Sequence, residues 1–149
     1  MSRSWLLILI AVLAVLGLVL SSLSLVAHYK KSPTEYCDLG DNFNCDLVNR
    51  SPWSEVAHVP VAGIGVAGYI FLLVMSWMAA HRPQAAVLLL IAALGGLAFA
   101  AYLTYIEAYK LEVWCVLCLG SLAAISLITI LSAARVISSR RSSAAAKAA

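Results

Sequence analysis

The sequence is short of charged residues and of proline. Asp, Glu, Lys and Arg make up 11% of its 149 residues, less than half of the roughly 25% found in an average soluble domain. So little charge excludes an ordinary soluble domain, and a net charge of +3 provides no basic patch for nucleic acid. We therefore expect no nucleic-acid partner. The four prolines leave long stretches in which a helix need not be interrupted.

Hydrophobic residues are abundant instead. They make up 63% of the chain, and the mean hydropathy is +0.95. A helix needs about 20 apolar residues to cross a bilayer, and residues 5–27, 61–80, 85–106 and 114–134 each supply such a run. The first run is longer than the roughly 7–15 apolar residues of a signal peptide, so we expect it to be retained. We predict an all-α membrane protein, with a four-transmembrane-helix bundle over residues 1–138 and a basic, disordered cytoplasmic tail over residues 139–149.

The positive charges predict the orientation of this bundle. With an inside N-terminus, six basic residues lie at cytoplasmic ends (Arg3, Arg82, Arg135, Arg140, Arg141 and Lys147) and four lie outside (Lys30, Lys31, Arg50 and Lys110). This bias follows the positive-inside rule. We therefore expect both termini in the cytoplasm and all four cysteines on the outer side, where disulfides persist.

The connection from residue 28 to residue 60 is long for so small a protein, and long loops are usually functional or disordered. It carries Cys37 and Cys45 within the segment "CDLGDNFNC", whose Gly, Asp and Asn residues are typical of a flexible turn. Ser51 and Pro52 form a good helix start, as N-cap and first helical residue. Trp53, Val56 and Pro60 can then share one face, which predicts a short interfacial helix over the mouth of the bundle.

The second cysteine pair, Cys115 and Cys118, opens the fourth helix as a C-x-x-C motif. Cys115 lies near the helix N-terminus, where free N–H groups and the helix dipole favour a thiolate. Cys118 lies one turn deeper on the same face, so one sulfur is expected toward water and the other toward the bundle interior. Two alternatives stay open: two buried thiols of purely structural value, or a tetrahedral zinc site built from four cysteines.

Two dithiols that exchange a disulfide fit these positions best, because the seven residues between Cys37 and Cys45 exceed the two to four usual in zinc sites. Electrons must then leave Cys115 and Cys118, and no haem motif or flavin fingerprint is visible in the sequence. A lipid-soluble quinone is the expected acceptor, with no metal. Glu107 is expected as an interfacial charge, with a proton relay for quinone reduction as the alternative.

The whole combination resembles the vitamin K epoxide reductase family. The resemblance covers essentially the entire chain: four helices, a cysteine pair in the first outer loop, C-x-x-C opening the fourth helix, and the tract "CDLGDNFNCDLVNRSPWSEVAHVPVAGIGVAGY". In that tract a serine follows the second loop cysteine by six residues. The other quinone-linked family of disulfide-generating membrane proteins has its C-x-x-C in the first outer loop instead.

The resemblance implies catalytic roles for all four cysteines. Cys37 and Cys45 would accept electrons from a secreted or membrane-anchored thioredoxin-like protein, Cys45 would exchange with Cys115, and Cys118 would lie nearest the quinone. Which loop cysteine the partner attacks first is left open. The quinone would be of the ubiquinone, menaquinone or vitamin K type, and the residues expected to bind it are Ser51, Ala62, Tyr102, Tyr105, Cys118 and Leu122. Tyr102 and Tyr105 are also expected as interfacial anchors.

The resemblance is to a bacterial-type member without a fused thioredoxin domain, so we expect a multi-pass protein of the bacterial inner (plasma) membrane whose partner acts in trans. Leu122 stands where animal members have a tyrosine, and Ala62 is the nearest match to a quinone-contacting asparagine. The predicted function is a membrane thiol oxidase that generates disulfides. The alternatives are a vitamin K quinone or epoxide reductase of the endoplasmic reticulum, and a non-enzymatic four-cysteine metal-binding membrane protein.

Overall fold

Four long helices dominate the fold. The computed structural model describes residues 3–31, 37, 40 and 42–148. The elements are α1 (Arg3–Tyr29), α2 (Cys45–Asn49), β1 (Glu55–Val56), β2 (Val59–Pro60), α3 (Val61–His81), α4 (Pro83–Ile106) and α5 (Val116–Ala148). Within the described residues, α1, α3, α4 and α5 are long and apolar enough to cross a membrane, and this confirms the predicted all-α membrane class.

The helices form a ring in which α1 and α4 each pack against both α3 and α5. Arg82 alone separates α3 from α4, and Pro83 begins α4 at a position where its missing N–H costs nothing. Ile10, Leu89 and Ile128 lie fully buried at the centre of the ring. The core is therefore built where the four helices face one another.

The outer faces of these helices are also apolar. Trp77 is 75% exposed, and Ile130 and Ile91 are 63% and 60% exposed. Apolar side chains exposed around a whole bundle indicate a surface that faces lipid.

Small residues bring α1 and α3 close together. A Cβ atom on Gly65 would lie 2.8 Å from the hydroxyl oxygen of Ser21, and a Cβ atom on Gly17 would overlap the ring of Tyr69. Gly65 belongs to the "GIGVAG" segment, which lies wholly inside α3. This segment therefore serves helix packing of the kind that small residues support in membranes.

Helix α5 differs from the prediction at both ends. It begins at Val116 rather than residue 114, and it continues to Ala148 through the tail expected to be disordered. Alanine has the highest helix propensity, and no Gly or Pro follows Gly120 to end the helix. The basic tail is thus an extension of α5.

The long loop also differs from the prediction. A short helix is present, but it is α2, before Ser51. After Ser51 there is only a single 3-10 turn, Pro52–Ser54, followed by an antiparallel hairpin of β1 and β2. The expected helix with Trp53, Val56 and Pro60 on one face is therefore wrong. Pro60 would break such a helix, whereas Ala57 and His58 adopt the positive φ values, 52° and 65°, that a two-residue hairpin turn needs.

Candidate functional site

The two loop cysteines form a disulfide. Cys37 and Cys45 are bonded to each other, their Cα atoms lie 5.5 Å apart, and each residue is only 1% exposed. Cys45 is the first residue of α2, whose start is fixed because the side chain of Asn44 accepts a hydrogen bond from the Leu47 N–H at 2.9 Å. The helix cap thus positions one end of the disulfide.

Backbone hydrogen bonds dock this part of the loop against the start of α5. The Asn44 N–H donates to the Trp114 carbonyl at 3.1 Å, and the Trp114 N–H donates to the Asn42 carbonyl at 2.9 Å. Gly40 makes the preceding turn, with a φ of 111° that suits glycine, and its carbonyl accepts the Phe43 N–H. Residues 38, 39 and 41 of the segment expected to be a flexible turn lie outside the described residues.

The docked loop brings three sulfur atoms together. The Sγ atoms of Cys37, Cys45 and Cys115 all lie within 4.8 Å of one another. Cys115 is fully buried beneath the disulfide, so its predicted position toward water is wrong. Val48, Leu117 and neighbouring apolar side chains surround the three sulfurs and exclude water from them. A small movement of these side chains would bring a thiolate of one pair into position to attack a disulfide of the other pair.

Cys115 caps the first turn of α5. Its sulfur accepts the Cys118 N–H at 3.3 Å, and its carbonyl accepts the Leu119 N–H at 2.9 Å. The hydrogen bond from the Cys118 thiol is the largest influence on the pKa of Cys115 and lowers it, with help from the N–H groups of Cys118 and Leu117. Burial and the carboxyl group of Glu107 act in the opposite direction, but the pKa remains lowered. Cys115 is therefore prepared to react as a thiolate.

Asn49 contacts both cysteine pairs, and it is not among the site residues predicted from the sequence. This residue is buried, and its side-chain N–H₂ group donates to the Cys45 carbonyl at 2.9 Å and contacts the Cys115 sulfur at 3.8 Å. Its spacing is the sequence signal that could have identified it, because Asn49 lies four residues after Cys45, on the same face of a helix.

Glu107 lies beside the C-x-x-C pair rather than at the surface, so its expected position as an interfacial charge is wrong. It is 2% exposed, and its Oε2 atom accepts the Cys115 N–H at 3.1 Å. Its carboxyl group also lies within hydrogen-bonding reach of the Cys118 thiol. One turn of π-helix, Glu107–Leu111, follows α4 and turns this side chain inward.

A cavity of about 360 Å³ lies next to these residues, between the long helices and beneath the loop. Its wall is largely apolar, and Ser51, Ala62 and Cys118 all contribute to it. Tyr69 also lines it, and its hydroxyl donates to the Ser121 carbonyl at 2.9 Å. The structure thus brings together three of the residues expected to bind quinone.

The other three expected quinone contacts lie elsewhere. Tyr102 and Tyr105 are 53% and 55% exposed on the outside of the bundle, and neither belongs to the cavity wall. Leu122 is half-buried on α5 and also lies outside that wall. Their predicted contact with a ligand stays a prediction.

Two basic residues hold the loop over the cavity. The guanidinium group of Arg50 donates to the carbonyls of Ala27 and Lys30, at the end of α1 where carbonyls lack helical partners. The Nδ1 atom of His28 lies 2.5 Å from the Asn49 carbonyl, and its Nε2 atom lies 3.3 Å from the Glu55 carboxylate. These contacts tie α2 and the hairpin to α1.

The family model for the vitamin K epoxide reductase family matches residues 8–133, which cover most of the chain. This is an oxidoreductase family that is associated with quinones and generally acts with thioredoxin-like partners. The matched segment contains all four cysteines, and together they indicate a redox function that involves disulfides.

Proposed function

Because this chain belongs to the vitamin K epoxide reductase family, we propose that it is a quinone-linked thiol oxidase that generates disulfides. Electrons pass from a thioredoxin-like protein through Cys37 and Cys45 to Cys115 and Cys118, and then to a quinone. One observation carries this proposal: three sulfurs of the two pairs lie within 4.8 Å of one another, while the fourth, on Cys118, lines an apolar cavity.

The first transfer takes place at the loop disulfide. A thiolate of the partner attacks the Cys37–Cys45 bond, a mixed disulfide forms, and the partner's second thiolate breaks it. The partner leaves oxidised, and the loop pair holds two electrons. Either loop cysteine can be the first target.

The second transfer takes place between the loop and α5. The Cys45 thiolate attacks Cys115 in a Cys115–Cys118 disulfide and releases the Cys118 thiolate, and Cys37 then attacks Cys45 to re-form the loop disulfide. This transfer would leave the loop pair bonded and Cys115 and Cys118 free, which is the arrangement in the structure.

The size and lining of the cavity support a quinone as its ligand. Its volume of about 360 Å³ falls within the range of roughly 300–1,000 Å³ that small-molecule sites occupy. Apolar side chains suit the ring, and a bound quinone would supply a two-electron acceptor beside Cys118. The Ser51 hydroxyl, which donates to the Val48 carbonyl at 2.8 Å, would turn to donate to a quinone oxygen.

The proposed setting is the bacterial inner membrane, with the cysteines on the outer side and both termini in the cytoplasm. The charge bias supports this orientation, and the four apolar helices support a multi-pass protein. Dithiols from secreted proteins reach the cysteine end of the bundle only in this orientation.

Reconstituted vesicles test the proposal. Purified protein, a reduced thioredoxin-fold protein and a short-tailed ubiquinone should give dithiol-dependent bleaching of quinone absorbance. The Cys118→Ala variant should lose this activity. Ser126→Ala should keep it, because among the described residues that hydroxyl bonds only the Leu122 carbonyl of its own helix. Full activity in Cys118→Ala would refute the relay. Turnover of vitamin K epoxide by the same vesicles would instead favour the endoplasmic-reticulum alternative.

A metal-binding role is the second candidate, because Cys37, Cys45 and Cys115 could offer three sulfur ligands. Two of these sulfurs are joined in a disulfide, so a metal could bind only after reduction. Elemental analysis of protein purified under reducing conditions tests this role. One equivalent of zinc per chain, together with no quinone reduction, would support it over the oxidase.

A further inference from the structure

The carboxyl group of Glu107 is buried at the wall of the cavity. The residue is 2% exposed, and it shares that wall with Cys118. A buried carboxylate is costly in a membrane protein unless a charge compensates it or a function requires it. Among the residues that the structure describes, no lysine or arginine forms an ion pair with Glu107. The burial of the Glu107 carboxyl group therefore indicates a functional role.

The backbone around Glu107 is irregular in a way that aims this side chain. The π-helical turn Glu107–Leu111 replaces regular helix at the end of α4, and Glu112 then adopts a left-handed conformation with a φ of 54°. Single π turns are rare and often occur at functional sites. Here the turn leaves Lys110 exposed and Glu107 buried against the first turn of α5.

Glu107 contacts both members of the C-x-x-C pair. Its Oε2 atom accepts the Cys115 N–H at 3.1 Å, and its carboxyl group reaches the Cys118 thiol. Two other ionisable groups in the described part of the cavity wall, His28 and Tyr69, are engaged with Glu55 and Ser121 instead. Of the described wall residues, Glu107 is the one carboxyl group placed to exchange a proton with Cys118.

We propose that Glu107 is a catalytic residue that carries the thiol proton of Cys118 to the quinone. The inference rests on the proposed function. After the loop exchange, the two released thiolates take up protons from solvent. The S–H bond of Cys118 then breaks and its proton moves to the Glu107 carboxylate. As the Cys115–Cys118 bond forms, the two sulfurs together give up two electrons, which reduce the quinone to the quinol.

Two protons leave the thiol pair, and two reach the quinone oxygens. The carboxylic acid of Glu107 gives its proton to one quinone oxygen and returns to the carboxylate. The proton of the Cys115 thiol is lost to water when the thiolate forms, and the other quinone oxygen takes one proton from water. The pair thus loses two electrons and two protons, and the quinol gains two of each.

Turnover of three variants in the vesicle assay tests this role. Glu107→Gln keeps the shape of the side chain but cannot carry a proton, so turnover should fall roughly 100-fold, within the usual range for a lost acid–base group. Glu107→Asp keeps a carboxyl group, so it should recover part of the lost turnover. Glu112→Gln is the matched control, since that carboxyl is exposed and lies outside the cavity wall, and it should retain full activity. Quinone affinity, measured by quenching of tryptophan fluorescence, should be unchanged in Glu107→Gln.

A second readout needs no quinone. Reduced protein is oxidised with ferricyanide, which accepts electrons without protons, and the infrared difference spectrum is recorded in the carbonyl region of protonated carboxyl groups. Wild type and Glu112→Gln should gain this band as Glu107 takes up the Cys118 proton, and Glu107→Gln should lack it. Absence of the band in wild type would overturn the inference, as would equal turnover of wild type and Glu107→Gln. Failure of wild type to reduce any quinone would instead overturn the proposed function.

Discussion

The side-chain amide of Asn49 lies 3.8 Å from the sulfur of Cys115 and 2.9 Å from the carbonyl oxygen of Cys45, so one buried side chain joins the two cysteine pairs. An N–H group directed at sulfur favours the thiolate over the thiol. We therefore expect Asn49 to act in the same direction as the hydrogen bond from Cys118, which lowers the pKa of Cys115.

Replacement of Asn49 should raise the pKa of Cys115. In Asn49→Leu the sulfur loses its amide contact, so the thiolate forms only at higher pH than in wild type. Alkylation of Cys115 by iodoacetamide, followed by mass spectrometry across a pH series on fully reduced protein, measures this change. The midpoint should move upward, and the rate below the midpoint should fall.

Asn42→Leu is the matched control for Asn49→Leu. Asn42 is an exposed amide in the same loop, and its described hydrogen bond to Trp114 is made by its backbone carbonyl, which the substitution retains. Its profile should overlay that of wild type. If Asn49→Leu also overlays wild type, the amide contact has no influence on Cys115.

The close fit of Gly17 against Tyr69 should make the bundle intolerant of a methyl group at residue 17. A Cβ atom there overlaps the tyrosine ring, which must move and release its hydrogen bonds to Ser121. Overpacking of this kind usually costs about 1–3 kcal/mol. Gly17→Ala should therefore lower the thermal unfolding temperature in detergent and weaken quinone binding, because Tyr69 lines the cavity.

Gly95→Ala separates this clash from a general effect of glycine replacement. A Cβ atom at Gly95 meets nothing within 4 Å, so the substitution should leave the unfolding temperature unchanged or raise it slightly. Equal destabilisation by the two variants would contradict the assigned role of Gly17.

The sequence alone predicts the features that membrane thickness determines. The length of an apolar run is fixed by membrane thickness, so the runs predict the ends of α1, α3 and α4 to within two residues. The C-x-x-C motif at the start of α5 was likewise visible, because helix starts and cysteine spacing are local features. In contrast, the polarity of residues 139–148 predicts a disordered tail, whereas this segment is helical.

The contacts that complete the site depend on tertiary structure, and the sequence does not show them. Hydropathy places Glu107 at the end of a helix, but the π-helical turn that buries it has no distinctive sequence pattern. Asn49, His28 and Arg50 acquire their roles only when the loop folds back onto α1 and α5. The spacing of Tyr102 and Tyr105 correctly predicts that both lie near the end of α4. It does not show that both side chains face outward.

The distance between the two cysteine pairs predicts a trapped intermediate. In Cys118→Ser, Cys115 can still attack the loop disulfide across the distance of at most 4.8 Å, but no thiol at residue 118 remains to displace the bond that forms. A Cys45–Cys115 disulfide should accumulate, with Cys37 released as a free thiol that N-ethylmaleimide blocks. Peptide mapping without reductant should identify this crosslink in most of the alkylated protein.

The same geometry tests which loop cysteine faces Cys115. Cys37 and Cys45 both lie within reach, but Asn49 bonds the backbone of Cys45 while it contacts the Cys115 sulfur, so Cys45 is held in register with its target. The double variant Cys45→Ser, Cys118→Ser leaves Cys37 and Cys115 as the two thiols and should form little crosslink under mild oxidation with diamide. The variant Cys37→Ser, Cys118→Ser, oxidised in the same way, should form the Cys45–Cys115 crosslink. A Cys37–Cys115 disulfide formed as readily as the Cys45–Cys115 one would show that Cys37 is the exchanging residue, and the order of transfer within the loop would then be reversed.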